Sequence, residues 1–375
     1  MKFLHLMTIP SSIYNHMIVK MINDENCFIS KNHKFLFTNK MSFEISCEYQ
    51  NIELDEHLLD DDKLEKFNII IQNYDFVLLH ALNFKIKQFL HLKEKNNLKK
   101  IIWCVWGHDL YIKKLHSKSL YRNLTFLYKQ KLRIIIRRNK VKNFKGIAIG
   151  FQYDHHEVYK QYGKDIKIFK APYGLGYSEK IIEDAVCSIQ KNTSSERCKV
   201  MIGHCAFSFL NHENLLNKLR KFDNEKITIS LPLSYGDNGY AEMVEMVAKD
   251  IYQDKVEIIR DFMKPQAYLE YLNGIDVAIF DYTHQAALAN IYLLLYLGKK
   301  VFLNSEGVIY KALVDEKVQV FDVDNIGTMD YDDFTNSDFD RSKGISFAKD
   351  MIDEKIIRDN WRKLFEDLRS DAKYG

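Results

Sequence analysis

Side chains able to do chemistry gather at a few corners of this 375-residue sequence. Asp281-Tyr282-Thr283-His284-Gln285 follows the apolar run Ile275–Phe280 and precedes Ala286–Leu297, a run rich in Ala and Leu that Gly298 stops. This pattern predicts a buried parallel strand, a polar corner and a helix. In an open α/β sheet such a corner is where phosphate-bearing ligands bind, because the helix N-terminus offers unpaired N–H groups and positive dipole charge. The segment reads equally well as a βαβ unit that only packs. Gly203-His204-Cys205-Ala206-Phe207-Ser208 repeats the arrangement after the strand Cys198–Ile202, and Ser234-Tyr235-Gly236 follows the strand Ile227–Leu233. Gly107-His108-Asp109 ends the strand Lys100–Trp106, and His80 ends the strand Phe76–His80. Adjacent His and Asp suit an acid, a base or a ligand for sugar hydroxyls. Asp109 suits a helix cap equally well.

Other candidate clusters carry less. In Asp154-His155-His156-Glu157 the neighbours are adjacent on a helix and do not share a face. Asp322-Val323-Asp324 falls in a loop after a last strand, and Asp60-Asp61-Asp62 starts a helix. The six Cys are scattered without a CxxC pair, which suits a reducing compartment and no structural zinc. Neither GxGxxG nor a Walker A loop is present, which argues against a dinucleotide enzyme or a P-loop NTPase.

Alternating strands and helices must position these corners. Lys2–Met7, Lys34–Thr38, Phe76–His80, Lys100–Trp106, Gly146–Gly150 and Lys167–Phe169 read as strands, with helices at Ile13–Ile22, Asp61–Gln72, Phe84–Leu92 and Asp154–Tyr162. A second series follows: Cys198–Ile202, Ile227–Leu233, Val256–Ile259, Ile275–Phe280, Val301–Leu303 and Val318–Phe321. Its helices are Asn211–Lys221, Tyr240–Ile251, Met263–Leu272 and Ala286–Leu297. The expected fold class is α/β with two parallel, doubly wound sheets. With 46% hydrophobic and 28% charged residues the chain is long enough for two such cores. The expected domains are 1–175, 176–345 and a tail, 346–375, whose helix Ser346–Leu368 packs back across both. Ala171-Pro172-Tyr173-Gly174-Leu175-Gly176-Tyr177 is the expected linker.

From Leu110 to Tyr153 there is no Asp or Glu, against twelve Lys and Arg, among them Lys129, Lys131, Arg133, Arg137 and Arg138. Aromatic and aliphatic residues lie between them. This is the composition of a membrane-surface helix, to which each basic residue contributes about 1 kcal/mol near anionic lipid. A solvated basic face is the plain alternative. Nucleic-acid binding lacks a supporting motif and is not expected. The start of the chain does not read as a signal peptide, and no run is long enough to span a bilayer.

Trp103-Cys104-Val105-Trp106-Gly107-His108-Asp109-Leu110-Tyr111, the Gly203 loop with Asn211-His212, Leu233-Ser234-Tyr235-Gly236 and most of Tyr271–Asn304 resemble bacterial 4-acetamido-4,6-dideoxygalactose (Fuc4NAc) transferases. Those enzymes act on lipid-linked intermediates of enterobacterial common antigen. The order and spacing match over nearly the whole chain. The resemblance implies a GT-B architecture, two facing Rossmann-like domains with the active site between them. It implies a metal-independent glycosyltransferase of the hexosyltransferase type, on the cytoplasmic face of the bacterial inner membrane. Its donor would be a nucleotide sugar, dTDP-linked, and its acceptor a polyprenyl-diphosphate-linked saccharide. The chain departs from the family at Gly203-His204-Cys205, where Gly-Asn-Ser is usual, and at Phe209-Leu210, where Ser-Asn is usual. Thr283-His284-Gln285 also replaces an expected basic pair.

The leaving diphosphate would then be met by backbone N–H groups after Gly203 and at the Gln285–Asn290 helix start. On this reading His204, Tyr235, Gly236, Asp281, Gln285 and Asn290 line the donor site. Asp109 is the first choice for the base or acceptor-hydroxyl ligand, with His108 and His80 behind it. Two alternatives stay open: a UDP-sugar enzyme of O-antigen or capsule assembly, and a non-catalytic, membrane-associated sugar-nucleotide binding protein.

Overall fold

The computed structural model describes residues 1–374 except 10–11, 25–27, 45, 93–94, 112–119, 175–179 and 184–196, with backbone alone for 12, 42, 120–130 and 373–374. The chain divides into two compact units. One is Met1–Gly176 with Lys355–Gly375, the other Tyr177–Glu354.

The first unit is a seven-stranded parallel sheet: β1 (Phe3–Met7), β2 (His33–Phe37), β3 (Ile52–Leu54), β4 (Phe76–His80), β5 (Ile101–Cys104), β6 (Gly146–Ile149) and β7 (Ile168–Lys170), in the order β3-β2-β1-β4-β5-β6-β7. β1, β4, β5 and β6 are buried at every residue, as apolar runs covered on both faces should be. β3 was not anticipated; three half-exposed edge residues carry too little alternation to read. The second unit holds β8 (Cys198–Ile202), β9 (Ile227–Pro232), β10 (Val256–Ile259), β11 (Val277–Phe280), β12 (Lys300–Leu303) and β13 (Phe321–Asp322), in the order β10-β9-β8-β11-β12-β13 and parallel throughout. Both sheets are therefore doubly wound, reversing strand order between β1 and β4 and between β8 and β11.

The tail differs from the expected single helix. One helix, Ser342–Ile352, packs in the second unit, with Phe347 against Tyr292 and Gly344 against Leu295. Asp353 then turns to extended backbone, and Glu354–Tyr374 forms a separate helix of the first unit. The two helices serve different cores, so a break has to fall between them. Of the expected linker, 171–174 are described and 175–177 lie outside the described residues.

The helix Glu354–Tyr374 buries Trp361, Leu364, Phe365 and Leu368 on the first sheet. Beneath it runs a line of polar groups. His33 Nδ1 and His5 Nε2 are 3.0 Å apart, His5 Nδ1 and His80 Nε2 2.9 Å, and His80 Nδ1 meets the Tyr173 hydroxyl at 2.5 Å. Trp361 stacks on His80, and Phe365 meets His33 edge-on. Imidazoles in such a line are satisfied only while each keeps one N–H and one lone pair. Burial accordingly holds His33 and His80 down to about 3. His5 lies well below its ordinary value through burial first, then through His80 and His33.

Acid should open this unit. The unfolded chain takes up these protons near pH 6.5, the native His33 and His80 only near 3 and His5 likewise well below its ordinary value, so the unfolded state binds more protons in between and stability falls as pH drops through that window. Asp154, which burial raises to about 7, pulls the other way, one group against three. Urea unfolding should give a free energy that declines steadily below about pH 6.5, with a shallower slope in His33→Gln. A pH-independent free energy would refute the account.

Candidate active site

In the second unit, the loops at the C-terminal ends of β8, β9, β11 and β12 meet where the strand order reverses. Gly203 leaves β8 at φ +66°, and a Cβ there would lie 2.6 Å from His212 Nε2. His212 is fully buried and opens the helix His212–Leu219. Gly236 leaves β9 at φ +124°, and its Cβ would stand 2.4 Å from the Ala206 carbonyl oxygen. The Ala206 N–H donates to the Tyr235 carbonyl at 2.7 Å, and the Asp237 N–H to the Ala206 carbonyl at 2.8 Å. Backbone thus touches backbone between the two loops, which is why glycine is needed.

Asp281 joins the remaining loops. One carboxylate oxygen accepts from Asn211 Nδ2 at 2.6 Å and the other from Asn304 Nδ2 at 2.7 Å. Asn304 in turn accepts from the Glu306 N–H at 3.0 Å. Asp281, expected beside the donor, sets the spacing of the β8, β11 and β12 ends. The next helix begins at Leu288, not at Ala286, because Ala287 is left-handed at φ +53°. No side chain caps it, and such backbone strain, about 1–3 kcal/mol, collects at functional sites. The Tyr282 hydroxyl ties the corner by donating to the Ala286 carbonyl at 2.8 Å. Gln285 therefore lies in the loop, with its buried Oε1 unpartnered among the described residues. Asn290 lies in the first helical turn, where its Oδ1 accepts from the Tyr268 hydroxyl at 3.1 Å.

Rings wall this corner: Phe207 against Phe209 at 5.7 Å, Phe209 against His284 at 4.8 Å and against Tyr282 at 6.0 Å, Phe207 against Tyr235 at 6.4 Å. Phe207 and Tyr235 stay well exposed. Sequence reasoning passed over Phe207, Phe209 and Tyr282. The available signal was two phenylalanines inside a loop of otherwise small residues. His204 is buried, and burial holds it down to about 3. Burial therefore favours its neutral form.

In the first unit, Asp109 is buried and fully engaged. Its Oδ2 accepts from the Leu82 N–H at 2.7 Å and from Trp103 Nε1 at 2.6 Å, and its Oδ1 from the Trp106 N–H at 2.8 Å. Its own carbonyl accepts from Arg137. The carboxylate clamps the β4 and β5 ends together. His108 is exposed, with Nε2 3.0 Å from Asn83 Oδ1. The acceptor role expected for His80 does not fit its place: it is fully buried and both ring nitrogens are taken. Tyr111 donates to Asp154 at 2.9 Å, a carboxyl that burial raises to about 7. Among the described residues, no His, Cys, Asp or Glu group is placed to hold a metal ion.

The basic helix Leu120–Val141 corrects one expectation. Arg137 faces inward, only 7% exposed, its guanidinium 4.5 Å over the Trp103 ring. Arg133 is half-buried and donates to the Phe84 carbonyl at 3.3 Å. Lys131 and Arg138 are exposed; the Lys129 side chain lies outside the described residues. The helical period explains the division, since Lys131, Leu132, Ile135, Arg138 and Lys142 make one outward stripe.

Solved structures share this fold over their full length. A glycosyltransferase from Rickettsia africae matches with TM-score 0.64 and 12% identity, covering 100% of this chain and 99% of that one. Anabaena HepE in complex with UDP and glucose matches at 0.64 and 12%, covering 99% and 100%. Sucrose-phosphate synthase from Thermosynechococcus elongatus matches at 0.66 and 10%, also covering 99% and 100%. Two doubly wound parallel units of this kind are the GT-B class of glycosyltransferases. The model of the 4-alpha-L-fucosyltransferase family, glycosyl transferase group 56, matches residues 1–354, and the chain belongs to that family. It is a glycosyltransferase.

Asp109→Asn tests the clamp. An amide keeps one accepting oxygen but puts N–H against the donor or donors that face the other, so unfolding free energy should fall by about 1–3 kcal/mol. Turnover should fall without any change in the shape of its pH profile. Wild-type stability, with the loss confined to one limb of the profile, would make Asp109 a base instead.

Proposed function

We propose that this enzyme transfers a deoxy-amino sugar of the Fuc4NAc kind from a dTDP-sugar to a polyprenyl-diphosphate-linked saccharide, in bacterial surface polysaccharide assembly. The observation carrying this reading is the pair of glycine-locked loops beside an uncapped helix start at the strand reversal of the second unit. In the reaction an acceptor hydroxyl oxygen bonds to the anomeric carbon, and the bond to the diphosphate breaks. The diphosphate leaves with the electron pair and the hydroxyl proton passes to a base. Backbone N–H groups after Gly203 and at the Leu288 helix start meet the leaving charge, with no metal invoked. Gln285 and Asn290 add side-chain contacts, and Tyr235 and Gly236 border the base or ribose. Asp281 and Asp109 hold the loops. His204, where the family resemblance has Asn, is the residue most exposed to a change of donor. A UDP-sugar is the second reading, favoured by that departure and by HepE, which holds UDP on the same fold.

The acceptor's lipid places the enzyme on the inner face of the plasma membrane. No helix among the described residues is long and apolar enough to cross a membrane. The outward stripe of the basic helix supports surface contact instead: Leu132 is 39% and Ile135 55% exposed, flanked by Lys131, Arg138 and Lys142. Nucleic acid has no part in this reading.

Thermal unfolding with dTDP, UDP, GDP and CDP tests the donor. Selective stabilisation by dTDP is expected; selective stabilisation by UDP moves the enzyme to another glycan pathway, and no shift with any nucleotide sinks the reading. For the membrane, co-sedimentation with vesicles containing phosphatidylglycerol should fall about tenfold in an Ile135→Asp, Arg138→Asp double variant. Equal sedimentation of the variant would refute the contact.

A further inference from the structure

A cavity of about 350 Å³ opens at the N-terminal edge of the second sheet, where β8, β11 and β12 begin. Because the strands are parallel, this edge lies opposite the loops proposed to hold the donor. Among the described residues its charged lining is Arg197, Lys299, Lys300 and Arg341 against a single carboxylate, Asp276. Lys299 and Lys300 have a local reason to be cationic, since they follow the C-terminus of the helix Leu288–Tyr296. Arg341 has the opposite situation. It sits at the N-cap of Ser342–Ile352, where the dipole disfavours a cation.

Lys299, Lys300 and Arg341 are oriented by carbonyl oxygens. Lys299 donates to the Asn273 carbonyl at 2.5 Å, Lys300 to the Asp333 and Asn336 carbonyls at 2.7 and 3.2 Å, and Arg341 to the Ser337 carbonyl at 2.6 Å. A carbonyl dipole fixes an ammonium in place without cancelling its charge. Lys300 is 5% exposed, and burial lowers it, with Asp333 and Cys198 opposing. Burial also lowers Lys299; Asp276 opposes this and Arg341 adds to it. The other acids nearby have separate tasks: Asp276 accepts from the Lys199 N–H at 2.8 Å, and Asp340 from the Ser342 N–H and hydroxyl at 2.9 and 2.6 Å. Arg341 is held in position over the Phe339 ring at 4.9 Å. An accessible hollow lined by cations from three separate segments, one of them a buried ammonium hydrogen-bonded to carbonyl oxygens, makes a receptor for an anion with several oxygen acceptors.

We propose that this cavity binds a phosphate-type oxyanion, at a site separate from the donor loops. Phosphate free in solution and the phosphate of a lipid headgroup share this chemistry. The test is titration of the full-length protein with inorganic phosphate at constant ionic strength, followed by calorimetry and thermal unfolding, with sodium chloride as control. Saturable binding is expected, with a Tm that rises with phosphate. Arg341→Ala, on an exposed side chain, should weaken it about tenfold while leaving the nucleotide-induced shift unchanged. Lys299→Ala should weaken phosphate binding similarly. If phosphatidic acid vesicles bind in an Arg341-dependent way and compete with phosphate, the source is the headgroup; if they do not, it is the free ion. A shift no larger than that of chloride, or wild-type phosphate affinity in Arg341→Ala, overturns the proposal. Neither result bears on the donor site, whose nucleotide response is read separately.

Discussion

A parallel strand has to be covered on both faces, and most of this molecule follows from that requirement. Each strand must be followed by a crossover, and crossovers to the two faces diverge where strand order reverses. In the second unit the reversal falls between β8 and β11, and the Gly203 and Asp281 loops leave the sheet side by side there. The helices entered from these loops bring their N-termini to the same edge. The convergence of these loops and helix starts at one edge is thus a by-product of how the sheet is buried.

Close approach then tightens that edge. Gly203 and Gly236 are there because a methyl group would strike His212 in one case and the Ala206 backbone in the other. Asp281 adds a charged tie between side-chain amides from two other loops. Loops held this way are preorganised, so little energy would go into arranging them around a ligand.

Polar burial has a different meaning in the first unit. His5, His80 and Tyr173 are tied to one another and to His33 Nδ1, and the Asp109 carboxylate is engaged by Trp103 and by backbone N–H groups. Burying such groups unpaired would cost several kcal/mol, so they fix one register of strand and helix. Residues that looked reactive in one dimension are here structural. The exposed chemistry of this unit lies in the outward stripe of the basic helix and at His108.

The sequence by itself determined the two parallel sheets, the order of their elements, the glycine-bearing corners and the family. Apolar runs of strand length, helical periodicity and Gly at tight turns are local properties, written in neighbouring residues. It also placed the Gly203, Tyr235-Gly236 and Asp281 corners after strands of one series, because each corner follows an apolar run of the same pattern. What it did not contain was direction. Arg137 and Lys131 have the same charge on the same helix, yet one lies over Trp103 and the other in solvent. Asp109 and His80 resemble catalytic groups until Leu82, Trp103, His5 and Tyr173, distant in sequence, arrive around them. The break at Asp353, the left-handed Ala287 and the cation-lined hollow at the start of β12 were likewise decided by tertiary structure. Each depends on which surface a segment must meet, and that is set by packing between elements rather than by the residues within one.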